Sequence, residues 1–272
     1  MRKNLWLLLT TGFLMIVIQS CKKNQVSPVD LSEDETVDLI VAESTTDEVI
    51  NLVDSYFDET VSRSSQASFL PSCVTVTRVL HGDTLSVTWQ FDPAGCQMPN
   101  GRVYTGTVEI VRIRDRQAHE RHLYVSFSDD FSVNNVDVDG GFERIRVRRN
   151  AQNHPEAEIL FDLTVTRPNG AMMHTEGTRI REFVEGFATG NPHDNVWLIT
   201  GNWSTTRFNG NQYDVQITQP LRKEFDCRWY VSGTMEIVKN GHTFILDFGN
   251  GDCDNEALLT LPNGRTRTIH LR

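Results

Sequence analysis

The stretch from Cys227 to Arg272, CRWYVSGTMEIVKNGHTFILDFGNGDCDNEALLTLPNGRTRTIHLR, decides the fold. Two strand-like runs meet at Asn240-Gly241, and two cysteines bracket them. Asn-Gly between such runs is a strong hairpin signal, because the tight turn needs positive φ at both central positions. A two-residue turn there makes the numbers of facing residues sum to 481. Cys227 then faces position 254, one residue from Cys253. A bulge in Gly249-Asn250-Gly251 would absorb that slip. A second hairpin follows, turning at Asn263-Gly264. Cys73 to Ile110 is a looser copy, with Cys73 and Cys96 flanking a turn at His81-Gly82-Asp83.

The same grammar fills the space between. Ile159, Phe161, Leu163 and Val165 alternate with Glu158, Asp162 and Thr164, one face for the core and one for water. Residues 103–114 read as one long strand whose apolar face changes phase between Ile110 and Val111, which implies a bulge or cover on both sides. Asn100-Gly101, Gly140-Gly141, Asn169-Gly170 and Asn209-Gly210 read as further turns. At Gly140-Gly141 the turn would set Asp137 against Arg144 as a cross-strand ion pair. No long helical pattern separates the strands, so the topology is antiparallel. Twelve to fourteen strands are expected, more than an open sheet holds without curling or splitting. The fold class is all-β: a large antiparallel meander forming a curved sheet, sandwich or incomplete barrel over 65–272, preceded by a short acidic helical segment at 32–64.

That segment stands out by charge. Of the chain's net charge of -10, residues 30–60 contribute eleven acids and no base. Residues 1–23 contribute four bases, so 61–272 sums to -10 - 4 + 11 = -3. A body this near neutral has no cationic excess for a phosphate backbone, so nucleic acid is not an expected partner. Ser32 with Glu35, and Thr45 with Glu48, each fit a capping box, predicting one or two short helices between 33 and 62. Val49, Ile50, Val53, Tyr56 and Phe57 recur at helical spacing. The acidic residues are expected on the solvated face, with a partner surface as the alternative.

The N-terminus reads as export. Arg2-Lys3 precedes an apolar run from Leu5 to Ile18, and Ile18-Gln19-Ser20-Cys21 resembles a bacterial lipobox. The resemblance implies a signal peptide over 1–20, a diacylglycerol on the Cys21 thiol, acylation (palmitate) of the new amino group, and a polar tether over 21–31. Two or more acyl chains anchor stably to a membrane where one does not. Four cysteines then remain in an exported chain, and such a set reads as disulfides. Geometry favours Cys73–Cys96 and Cys227–Cys253 among the three possible connectivities. The pairs lack the spacing of a zinc site.

Several segments resemble a group of uncharacterised lipoproteins of Bacteroidota. They are Gly95-Cys96 with the following PNGR, REFVEGF (181–187), VWLITG (196–201), CRWYVSGTMEI (227–237) and DFGNGDCDN (247–255). The resemblance spans roughly 70–272 and implies a lipid anchor and an all-β body, with no established activity. It places the chain in the cell envelope, on the outer membrane, facing either the periplasm or the cell surface.

Motifs with chemistry are sparse. His119-Glu120-Arg121-His122 is not a zinc-protease motif, because its histidines are three apart. Asp247 to Glu256 lacks calcium-loop spacing and reads as a turn pinned by Cys253. Trp197, Ile199, Gly201 and Trp203 read as one strand face, with the aromatics covering the glycine. The loop 186–195 is the longest of the second half, and its His193 and Asp194 are the exploratory binding residues. No nucleophile elbow, P-loop or dinucleotide fingerprint is present. The expectation is therefore a non-enzymatic binding or structural role, with no catalytic residue, metal or cofactor assigned. Its partners would be the membrane through Cys21 and an envelope protein or glycan. The alternatives are a lipid or lipoprotein carrier using a concave sheet and, behind it, an envelope glycoside hydrolase with paired carboxylates.

Overall fold

A computed structural model of the chain describes residues 31–57, 70–98, 101–115, 117, 120–147, 149–187, 189, 192–227 and 229–271. Cys21, the signal segment and His119 lie outside them. Among the described residues, one α-helix, α1 (Glu33–Phe57), precedes sixteen strands. These are β1 (Val74–His81), β2 (Thr84–Phe91), β3 (Cys96–Gln97), β4 (Val103–Thr105), β5 (Thr107–Asp115) and β6 (Glu120–Phe127). β7 (Ser132–Val133), β8 (Val136–Val147), β9 (Glu156–Thr166), β10 (Met172–Glu185) and β11 (Val196–Arg207) follow. The chain ends with β12 (Gln212–Glu224), β13 (Tyr230–Lys239), β14 (His242–Asn250), β15 (Glu256–Thr260) and β16 (Thr266–His270). They form one antiparallel sheet in near-sequential order, with β3, β4 and β7 as a side flap on β8.

The sheet is rolled around α1. Arg78 of the edge strand β1 donates to the Tyr56 hydroxyl near the helix C-terminus. Arg267 of the opposite edge strand β16 donates to Thr36 Oγ1 and the Leu31 carbonyl at the N-terminus. One helix can meet both edges only if the sheet curls about it. The core is the inner sheet face plus the apolar stripe of α1. Val49, Ile50, Val53, Tyr56 and Phe57 are all buried, and Tyr56 meets Trp89 edge-on at 4.8 Å.

The terminal hairpin keeps the expected register near its turn and departs from it farther out. Lys239 pairs with His242 and Thr234 with Asp247, and then Ser232 pairs with Asn250, one residue out of step. Asn240 and Gly241 both have positive φ. The slip falls at the expected place, where Gly249 gives β14 an extra residue, but in the opposite sense. The facing sum rises to 482 and sets Cys227 against position 255, so the Cys227–Cys253 disulfide closes beyond the last pair of the ladder and not through the bulge. Cys73 and Cys96 form the second disulfide.

Four expectations are corrected. First, Gly140-Gly141 is not a turn. β8 runs straight through it, and Asp137 pairs with Thr166 and Ser132, not Arg144. A Cβ on Gly140 would lie 2.3 Å from the Asp162 carbonyl oxygen, and one on Gly141 2.1 Å from that of Val125. These glycines let three backbones approach closely. Second, the long strand breaks at Gly106, where φ is +77° and a Cβ would lie 2.5 Å from the Phe131 backbone. Val108 and Ile110 face inward and Ile113 outward, so no bulge lies between 110 and 111. Third, Thr45 to Glu48 caps nothing, because α1 is continuous through it, and Thr45 and Thr46 are buried. The Ser32 box does form: Glu35 N–H donates to Ser32 Oγ and Ser32 N–H to Glu35 Oε2. The fourth correction concerns the acidic face of α1 and bears on the site.

Candidate functional site

The acidic face of α1 is buried against cations of the sheet. Glu35 receives Lys239 of β13, Asp38 receives Arg207 of β11 and Arg167, and Asp54 receives Arg144 of β8 and Arg181 of β10. Glu43 and Asp47 share Arg179 of β10, while Glu48 meets Arg102 and the Tyr104 hydroxyl. The helix is the sheet's own ligand rather than a solvated strut. An unpaired buried charge costs several kcal/mol, so each inward carboxylate needs a cation opposite. β10 shows how the chain supplies them: Met173, Thr175, Arg179, Arg181 and Phe183 share the inner parity, and Ile180 faces away.

Compensation is complete at one end and partial in the middle. Burial alone would raise Glu35. Hydrogen bonds from Lys239, Ser32 N–H and the Tyr213 hydroxyl, with the Lys239 charge, outweigh it and bring Glu35 down to about 2. Glu43 is the reverse. Burial pushes it up to about 7, Arg179 opposes the rise, and the neighbouring Asp47 carboxylate adds to it. Its Oε2 accepts from Arg179 at 2.8 Å, but its Oε1 is sealed from solvent with no hydrogen-bond partner among the described residues.

Glu43 lines a pocket of about 100 Å³ between α1 and the inner face of β11–β14. Leu39 and Ile40 are apolar residues of the helix wall, and Trp203, Trp229, Met235, Leu246 and Phe248 are among those of the opposite wall. Asp47, Glu48, Arg102 and Lys223 supply its other charged groups. An apolar cavity with a few convergent polar groups and a carboxylate of shifted pKa is the form of a small-ligand site.

A scan against protein-family models finds no match, and searches of curated proteins and of solved structures find none either.

The residues picked from sequence lie elsewhere. His193 sits in a short 3-10 turn (Pro192–Asp194), its Nδ1 2.7 Å from Asp226, with a side chain 67% exposed. Asp194 accepts from Thr189 at 3.0 Å. The structure thus ties this loop to itself and to Asp226, and neither residue lines the pocket. His122 pairs with Glu143 and Glu120, and the hydrogen bond to Glu143 raises its pKa. Asp247 and Asp254 accept the Gly249 and Glu256 N–H groups, as expected of a pinned turn. Trp203 lies over Gly177 of β10, not over Gly201, and the Arg179 guanidinium stacks 4.4 Å from its ring. Trp197 stacks on Phe183 at 5.0 Å. The pocket escaped the sequence because it joins residues near 40 to residues near 235, a pairing no local pattern shows.

The outer face of the sheet carries a second feature, an open trough of about 1210 Å³ across β5–β13. Glu109, Glu143, Asp162, Glu176, Asp214 and Glu236 line it, with no lysine or arginine among the described lining residues. Asp162 and Glu176 lie directly opposite on β9 and β10, and His174 stands 3.7 Å from each. Ligand atoms of these three lie within 4.8 Å of one another. The two carboxylates are 75% and 62% exposed, without the apolar shell that a glycosidase acid needs.

Proposed function

We propose that the protein is a lipid-anchored envelope protein with a non-enzymatic binding role, and that the pocket beside α1 is where it binds. The pocket itself carries this reading, with its apolar and aromatic walls and few polar groups. The lipobox-like Ser20-Cys21 supports the anchor, and the lipoprotein-like segments from 181 onward support the envelope assignment. A carrier whose cargo filled the concave side would first have to expel α1. That move would break the ion pairs of Asp38, Asp54 and Glu35 together. A small pocket next to a retained helix asks for no such change.

The pocket is testable by NMR on protein carrying ¹³C-methyl methionine. Isoamyl alcohol, a small branched probe, is expected to move the Met235 methyl signal and leave Met98 and Met173, which line other parts of the core. No movement at Met235, or equal movement of all three, would contradict the reading. For the anchor, Cys21→Ser is expected to release the protein from the membrane fraction and abolish its labelling by palmitate. Retention in the membrane would count against lipidation.

A further inference from the structure

We infer that the pocket beside α1 takes a small apolar molecule bearing one ammonium group, with Glu43 as the anion that receives it. This rests on the pocket being the binding site. Size sets the apolar part. A volume of about 100 Å³ is smaller than the ~150 Å³ engineered cavity that takes up benzene. A branched alkyl chain of four or five carbons fits that space.

Charge sets the polar part. Glu43 and Asp47 are two carboxylates served by one guanidinium, that of Arg179. Asp47 is fully engaged, with one oxygen on Arg179 and the other on the Tyr230 hydroxyl. Glu43 Oε1 is the acceptor left over. The other cations of the pocket are engaged elsewhere. Arg102 pairs with Glu48, and the Lys223 ammonium donates to the Cys227 carbonyl. The group of Glu43, Asp47 and Arg179 is thus one positive charge short. A proton on Glu43 makes up the deficit, and so does a ligand ammonium donating to Oε1. A ligand carboxylate would add to it. The raised pKa of Glu43 reflects the same shortfall.

The test compares three probes of one shape by isothermal titration on the full chain: isoamylamine, isoamyl alcohol and isovalerate. At pH 8 the amine is expected to bind at least about tenfold tighter than the alcohol, the scale of a hydrogen bond to a charged group. Isovalerate is expected not to bind. At pH 5.5 the amine's advantage should shrink, because Glu43 takes up its own proton. The groups facing Glu43 are Asp47 on α1, Arg179 on β10 and Tyr230 on β13. Glu43→Gln should remove the amine's advantage over the alcohol, and a cooperative urea unfolding transition shows that the variant folds. Ser44→Phe, which adds bulk at a pocket-lining position of α1, should abolish both. Equal binding of amine and alcohol, or an amine affinity untouched by Glu43→Gln, would overturn the ammonium assignment and leave the pocket standing. Failure of all three probes to bind, with an unmoved Met235 signal, would overturn the pocket reading beneath it.

Discussion

Glu35 and Glu43 lie on the same helix, face the same sheet and differ in one respect. Glu35 spends both oxygens: Oε1 accepts from Lys239, Tyr213 and Asn211, and Oε2 from Lys239 and Ser32 N–H. Among the described residues, Glu43 has one cation, which it shares with Asp47, and keeps one oxygen without a donor. Desolvation acts against ionisation at both, so the partners decide the outcome. A fully partnered buried carboxylate fixes the helix to the sheet. A half-partnered one leaves a place for something else.

The largest expected effect comes from removing Glu35's cation. Lys239→Met leaves a buried carboxylate whose remaining cation is Arg207 at 3.9 Å, itself held by Asp38, and should cost about 3 kcal/mol in urea unfolding at pH 7. A loss under about 1 kcal/mol would mean that the pair is replaceable by water. Next is Glu35→Gln, which keeps the shape and removes the charge. We expect a loss of about 1–3 kcal/mol at pH 7 that disappears in acid. The folded pKa of Glu35 lies below its unfolded value of 4.5, so its stabilisation is present above 4.5 and is lost as pH falls towards 2.

Glu43 has the opposite sign. Its folded pKa lies above 4.5, so folding takes up a proton and stability falls as pH rises from 4.5 through about 7. Glu43→Gln should therefore stabilise the protein by about 1–2 kcal/mol at pH 8 and by little at pH 5. A destabilisation at pH 8 would show that Glu43 is partnered as fully as Glu35. The smallest effect is expected on the outer face. Asp162→Asn relieves one like-charge pair in solvent and should change stability by no more than about 0.5 kcal/mol, less at high salt. A larger change would mean that the trough holds the fold together.

Local chemistry was legible in the sequence. The Asn240-Gly241 turn, both disulfides and the Ser32 box are contacts within a single hairpin or a single turn of helix, and the bulge at Gly249 was legible in its place but not in its sense. Two kinds of feature were not. Gly140-Gly141 carries the composition of a turn, yet its glycines serve close approach to β6 and β9, which only tertiary pairing reveals. The inward arginines are the second kind. In Thr178-Arg179-Ile180-Arg181 the eye sends Ile180 to the core. Met173 and Phe183 share the arginines' parity and pointed the other way. Eleven acids before a nearly neutral sheet could then have suggested that helix and sheet neutralise each other. The pocket needed both facts at once, so it was out of reach.

The contrast between the two carboxylates is most directly tested by a ¹³C NMR pH titration of the glutamate side-chain carboxyls, with Glu35→Gln and Glu43→Gln used for assignment. The Glu43 carboxyl is expected to titrate near 7, while Glu35 stays ionised down to about 2. A Glu43 signal titrating at the ordinary 4.5, together with Glu35, would contradict the picture of one closed and one open partner on the same helix.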